Sequence, residues 1–325
     1  MPDQSQIQPF SFNCEGGLVL NKSTFIMEPG QALELTNFEP DVEGGYRRIN
    51  GYNPYIIQQL PVTALSSEAT LMSALFHDYV VAARGEKIYS SASTTLTLKI
   101  TSSETMSGSG TINAKSTTSF SSSGTLYMDS EIFTYTGITA TSFTGVTRAA
   151  SSTTAAAHST KTVISESWTE RDTGRTNAAK YKFERFNFDG SDKFIIVDQA
   201  NAPTVFNTSL AATDVSTSSV AGAKHVAAFK NHMFYSGMSS TPQEVVFSVP
   251  FDEDNFGSGA GSIKVDDTIV SLKVFREDLF IFCENRIFKL SGTTSTNFAV
   301  TPVTRNIGCV NGDTVQEFAG DLIFL

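Results

Sequence analysis

The 325-residue sequence predicts an all-β fold of β-propeller-like blades, in repeats of about 40–46 residues, with an inserted small β module. A recurring hairpin unit, its spacing and the residue composition all point there. The clearest unit lies at residues 270–292: Phe275, the polar Arg276-Glu277-Asp278, the apolar run 279–283, and Ile287-Phe288 thirteen residues after the anchor. Short apolar runs bounded by charged turns are strand signals rather than helix signals. The same shape starts at Phe229, 46 residues earlier, and at Phe318, 43 residues later, with another copy at Phe188, 41 residues before Phe229. A fifth, at Phe76, precedes Phe188 by 112 residues, and an insert of about 70 residues brings that interval back to about 42.

The second half of the unit recurs as well, in Ile88-Tyr89, Val205-Phe206, Val246-Phe247 and Ile287-Phe288. A four-stranded blade cannot bury both faces alone, so such units stack and share cores. A plain β-sandwich also strings hairpins at short intervals and stays open as an alternative. Composition agrees on the class: 25 Phe residues beside one Trp suit pleated, half-buried surfaces, and no long amphipathic helix is readable.

Taken in order, residues 1–60 form an N-terminal assembly or closure segment. Pro29-Gly30 and Gly44-Gly45 are turns, residues 31–38 are a helical turn or a strand, and a strand starts at Tyr46. Arg47 and Arg48 are adjacent, so on a strand they point to opposite faces and read as structural rather than as an anion clamp. The residues Gly16, Gly17, Leu18, Pro29, Gly30, Glu34, Leu35, Asn37, Phe38, Pro40, Gly44, Gly45, Arg47, Gly51 and Tyr52 carry a resemblance. Their arrangement resembles the opening of bacteriophage virion structural proteins, the group of short-tailed-phage tail nozzle (tail tubular B-like) proteins. The resemblance implies a propeller without catalytic residues, placed at a phage tail; the long insert departs from the simplest members.

Blades are expected over residues 61–90 and 164–325, interrupted by the insert at 91–163. In residues 91–150, 28 of 60 positions are Ser or Thr and six are charged, a sharp break from the flanks. Residues 91–123 are weakly patterned and read as a flexible or extended linker. From Gly124 onward two hairpins with Gly turns are readable, and the run 124–158 resembles a small β module of phage and prophage structural proteins. The sequence stops inside a hairpin at Leu325, so the last blade is expected to be incomplete, or completed by another chain.

Candidate chemistry is sparse. No phosphate-binding loop is present, and Gly257-Ser258-Gly259-Ala260-Gly261 lacks dinucleotide spacing. Asp252-Glu253-Asp254-Asn255 begins like a calcium loop, but Phe256 and Ile263 stand where oxygen ligands belong, so it reads as a solvated acidic turn. His77 and His232 read as equivalent turn positions in two repeats. Asp78, Asp192, Asp278 and Asp321 recur just after their anchors. They read as turn formers, with a ring of channel-lining carboxylates as the functional alternative. Neither a cofactor nor a metal is implied.

The net charge of −10 disfavours a duplex-gripping surface but suits a wall that DNA passes without sticking. Cys14, Cys283 and Cys309 lack metal-like spacing and suggest free thiols. The start MPDQSQIQPF has no leader character and no 18-residue apolar run exists, so synthesis in a host cytoplasm, a virion (tail) location and no membrane span are expected. The leading functional expectation is a non-enzymatic tail component, a nozzle or tube ring or an adaptor. It would oligomerise around the DNA conduit, with its own copies and neighbouring tail, adaptor or fibre proteins as partners and phage DNA passing non-specifically. The alternative is a receptor- or glycan-binding tail protein that uses the 91–163 module on a host surface glycan. A propeller glycosidase or lyase ranks third, and would lose turnover on substitution of Asp192 or Asp278.

Overall fold

The computed structural model describes residues 17–19, 26–28, 30–32, 34, 36–40, 46–49, 58, 60, 70–176, 180–318 and 320–325. The chain divides into two compact units, residues 1–55 and 56–325. In the first, β1 (Gly17–Leu18) pairs in parallel with β2 (Gln31–Ala32), and β3 (Phe38–Pro40) pairs antiparallel with β4 (Tyr46–Arg48). Arg47 Nε donates to Glu39 Oε1 at 2.9 Å across β3 and β4, which fits its structural reading. Among the described residues of 31–38, residues 31–32 and 38 are strand and none is helical. Pro29, Cys14 and the Gly44-Gly45 and Gly51-Tyr52 positions lie outside the described residues.

The second unit is a succession of antiparallel meanders. The first holds β5 (Thr70–Phe76), β6 (Tyr79–Arg84) and β7 (Lys87–Thr95). β7 is long because it serves two partners. Its first half pairs with β14 (Thr169–Thr173) to complete four strands, and its second half pairs with β13 (Val163–Glu166). Between β7 and β13 the chain forms β8 (Ser107–Asn113), β9 (Gly124–Met128), β10 (Glu131–Tyr135), β11 (Gly137–Ile138) and β12 (Ser142–Thr147). The insert therefore leaves and returns through one hairpin, with Val163 opposite Thr95.

Residues 91–123 are not a linker. Leu96, Ile100, Met106, Ile112, Ala114 and Phe120 are all buried in the module core, and β8 pairs with β12. The Ser/Thr-rich composition hid this because the buried apolar residues are sparse and small polar ones share the inward positions, with Ser91, Ser93, Thr94 and Thr117 also buried.

Three four-stranded sheets follow, each in consecutive order. They are β15 (Lys182–Phe186), β16 (Lys193–Val197), β17 (Thr204–Phe206) and β18 (Ala212–Asp214); β19 (His225–Phe229), β20 (His232–Ser236), β21 (Glu244–Phe247) and β22 (Gly261–Lys264); and β23 (Ile269–Phe275), β24 (Asp278–Cys283), β25 (Ile287–Ser291) and β26 (Ala299–Thr304). A last hairpin joins β27 (Gln316–Phe318) and β28 (Asp321–Ile323). The repeated sequence unit is thus strand one ending in Phe, a turn, strand two, and a third strand carrying the Val/Ile–aromatic pair. One anchor moves: in the second sheet the first strand ends at Phe186, and residues 187–192 form a longer loop. The Lys230-Asn231 turn has φ of 47° and 64°, the doubly left-handed form that suits a two-residue hairpin.

The second strand of each sheet explains the stacking. Side chains alternate between faces along a strand. On β16, Phe194 and Ile196 enter the core shared with the first sheet and module, while Ile195 and Val197 enter the core shared with the third sheet. On β20, Met233 and Tyr235 face one core and Phe234 the other. On β24, Leu279, Ile281 and Cys283 face back, and Phe282 faces the C-terminal hairpin. Strands buried on both faces read as continuous apolar runs, which is why FIIV, MFY and LFIFC stand out in the sequence. The protein is all-β with short 3-10 turns among the described residues. None of these sheets closes on itself into a barrel, and strand order alone does not make the stack a propeller.

Candidate functional site

The four sequence-selected aspartates fall at the corner between first and second strands of the first, second and fourth sheets and of the last hairpin, whereas the third sheet has Lys230-Asn231 there. Asp78 follows His77 in the β5–β6 turn, Asp192 ends the 187–192 loop, and Asp278 and Asp321 begin β24 and β28. No two of them pair with one another. Asp192 Oδ2 lies 3.3 Å from His77 Nε2, and its Oδ1 accepts from Asn187 at 2.8 Å. Asp278 Oδ2 lies 3.1 Å from Lys289 Nζ, and Asp321 Oδ1 lies 3.7 Å from Arg276 Nη2. The Ser291 hydroxyl and Lys289 hold the Asp278 carboxyl below its ordinary range.

Corners of neighbouring sheets thus meet through polar pairs, His77 with Asp192, Arg276 with Asp321, and Lys230 Nζ 2.6 Å from Glu277 Oε2, whereas Asp278 and Lys289 pair within one sheet. Exposed pairs of this kind contribute about 0–1 kcal/mol each, so they tune corners rather than hold the stack.

His77 and His232 are not equivalent, contrary to the sequence reading. Register pairs Phe76 with Tyr79 and Phe229 with His232, so His77 matches Lys230 in the turn. His77 is exposed on Asp192, whereas His232 is buried, its Nδ1 2.6 Å from the Ser248 carbonyl oxygen. A cleft of about 430 Å³ opens beside His77 and Asp192, walled by Phe76, Arg185, Phe186 and Lys193. Its mixed charge and two aromatic walls suit a polar ligand with an apolar face.

The module holds the most strongly organised polar cluster. Glu131, at the start of β10, is fully buried and receives Arg148 Nε and Nη2 at 2.8 Å each. The Ala149 and Ala156 backbone N–H groups donate to it at 3.0 and 2.9 Å, and His158 Nε2 lies 2.9 Å away. His158 Nδ1 meets Asp129 Oδ2 at 2.7 Å, and Arg148 also donates to the carbonyls of Thr101, Glu104 and Ala156. Burial alone pushes the Glu131 carboxyl up; Arg148, the Ala156 amide, His158 and the Ala149 amide outweigh it and hold it at about 2.

These residues tie the loop 148–158 to β10 and to residues 101–104, so the cluster sets the module's shape. Sequence reading passed over Glu131 and Arg148, although two of the few charges in a Ser/Thr block, one of them at an inward strand position, were the available signal.

Other sequence candidates resolve simply. Residues 257–260 form the loop before β22, and Gly261 begins that strand. In the 252–255 turn Asp252 and Asn255 are exposed, as a solvated turn implies, but Glu253 is buried, 6% exposed. Cys283 and Cys309 are free and buried, and burial pushes the Cys283 thiol up to about 12. No group of three or more His, Cys, Asp or Glu among the described residues is placed to hold a metal ion, and no helix there is long and apolar enough to cross a membrane.

No protein-family model and no curated protein matches the sequence. Among solved structures, the chain is similar to the phage phi92 endosialidase at 12% identity and a TM-score of 0.39, over 74% of this chain and 50% of that one. It is similar to Saccharomyces cerevisiae Sqt1 at 10% identity and a TM-score of 0.30, over 72% of each chain. It is also similar to the extracellular domain of BT4673 from B. thetaiotaomicron, at 12% identity and a TM-score of 0.31, over 85% and 34%. The chain thus spans half of the endosialidase and a third of the BT4673 domain. The expectation that the protein is not an enzyme is corrected by the first of these: a chain similar to it is an endosialidase, so catalysis is not set aside. Likeness at this level assigns no activity and no catalytic residue here.

Proposed function

We propose that this is a phage tail-associated protein whose inserted module, residues 97–162, binds a glycan of the host surface while stacked four-stranded sheets carry it. The observation that carries this reading is the construction of the insert. It grows from a sheet through one hairpin, and its shape is fixed by the Glu131–Arg148–His158 cluster. A rigid unit appended to a scaffold presents a preorganised surface and spends little ordering entropy on binding. The resemblance of residues 124–158 to phage structural modules, and of the opening segment to virion proteins, supports the tail assignment.

The sheets fit propeller blades in one further respect. Strands β15, β19 and β23, the first of each sheet, neighbour one another, and the Glu184 carboxyl on β15 takes a hydrogen bond from Ala228 on β19 and feels Lys273 on β23. Blades share an axis in this way.

The test uses the hairpin itself. Because Val163 lies opposite Thr95, residues 96–162 can be replaced by a two-residue Asn-Gly turn closed by that pair, which keeps the register of β7 with β13 and leaves the β7–β14 pairing in place. The intact protein is expected to be retained on immobilised host-surface polysaccharide and the shortened protein to pass through. Equal retention of both refutes the reading.

A second reading, a nozzle ring or adaptor around the DNA conduit with its own copies and neighbouring tail proteins as partners, draws on the repeated corner position of Asp78, Asp192, Asp278 and Asp321. It predicts symmetric oligomers on native mass measurement, and a monomer at assembly concentrations counts against it.

A further inference from the structure

A second cleft, of about 260 Å³, opens between the second and third stacked sheets, away from the module. Its walls include Lys193 of β16, Val205 of β17, Thr213 and Asp214 of β18, and Glu253 and Asp254 of the loop after β21. Glu253 decides its character. The residue is 6% exposed, and its Oε1 accepts from Lys193 Nζ at 2.9 Å. Its Oε2 has no hydrogen-bond partner among the described residues. A buried carboxylate oxygen without a donor is costly, and such groups in native structures call for an explanation.

The loop is held in place independently of that oxygen. The Tyr235 hydroxyl donates to the Glu253 carbonyl at 2.9 Å, and Asp254 Oδ1 accepts from the Ser216 amide and hydroxyl at 2.6 and 3.0 Å. The last torsion of a Glu side chain is broad, so the carboxylate can turn Oε2 toward the cleft without moving the loop.

The chemistry of the walls selects the occupant. Asp214, Glu253 and Asp254 repel an anion. Lys193 carries three N–H donors; one is used on Glu253 and Asp189 Oδ2 lies 3.6 Å from the same nitrogen, which leaves a donor for a ligand, and its charge faces an incoming ammonium. A group that accepts from Lys193 and donates to Glu253 at once is a hydroxyl. Val205 and Val215 supply an apolar floor. The volume lies below the range of about 300–1,000 Å³ usual for drug-sized ligands, so one ring fits rather than a chain.

We propose that this cleft binds a small neutral ligand with adjacent hydroxyls, of the size of one sugar ring, bridged between Lys193 and Glu253. The inference is independent of the module's role, since none of its residues lies in 97–162.

The test titrates the full chain with D-galactose and with myo-inositol, following ligand-observed saturation transfer, with putrescine and acetate as charged probes. Saturable binding of at least one neutral polyol is expected. Glu253→Gln is expected to weaken it about ten- to a hundredfold, the usual effect of losing a hydrogen bond to a charged group. Thr213→Trp, at an exposed position of β18, fills the cleft without touching the core and is expected to abolish binding. Absence of saturation with both polyols, preference for putrescine or acetate, or full binding by Thr213→Trp overturns the proposal.

Discussion

Replacing Glu131 by Gln tests the claim that a buried ion cluster, rather than the Ser/Thr-rich strands, gives the module its shape. The substitution keeps the volume, so no cavity opens, and removes the charge that faces five donors. Arg148, with 4% of its side chain exposed, keeps its bonds to three carbonyls but loses its counter-ion. Breaking a buried pair from one side costs about 3–5 kcal/mol.

The loss should be local. Amide hydrogen exchange in 97–162 is expected to quicken by about two orders of magnitude or more, while β16, β20 and β24 keep their protection. Acid should mimic the change: with the carboxyl at about 2 in the folded chain against an ordinary 4.5, its contribution is complete above about pH 4.5 and lost as pH falls toward 2. A loss below about 1 kcal/mol, or uniform loosening of the whole unit, would refute the reasoning.

Further outcomes follow from the stacked cores and the buried titratable groups. Phe234 is fully buried, stacked 5.2 Å from Phe247 and flanked by Phe229 and Phe298, so Phe234→Ala is expected to lower unfolding stability by about 3–5 kcal/mol in denaturant titration. His225 is held at about 4 by burial and by Lys182 and Lys224. The unfolded chain takes up that proton below about 6.5, so stability should fall between pH 6.5 and 4, and His225→Gln should flatten that slope. With its thiol pushed up to about 12, Cys283 should resist iodoacetamide at pH 8 until the chain unfolds; rapid labelling of the native protein would contradict its placement.

The repeat was legible because strands buried on both faces write themselves as unbroken apolar runs. Phe275, Phe229 and Phe318 do end first strands, and Ile287-Phe288, Val246-Phe247 and Ile88-Tyr89 do sit in third strands. The shift from Phe188 to Phe186 was not legible, since loop length between paired strands leaves no periodic trace. Residues 91–123 misled for a different reason. Outside the end of β7 and β8 their buried apolar side chains lie on irregular chain, and on those strands small Ser, Thr and Gly residues outnumber them, so neither a period of two nor one of 3.6 develops. The His77–His232 equivalence failed on register, which the turn sets and local composition does not. Glu253 was read as solvated because its neighbours are acidic; only the packing of its loop against Tyr235 and Lys193 buries it.

The central claim concerns where the chain sits and which way its module faces, and electron microscopy of the intact particle tests it most directly. With the four-stranded sheets located in the map, this account predicts residues 97–162 projecting outward at the tail periphery, open to the host surface. A closed ring of copies around the tail axis, with the module packed between neighbouring copies, would contradict it.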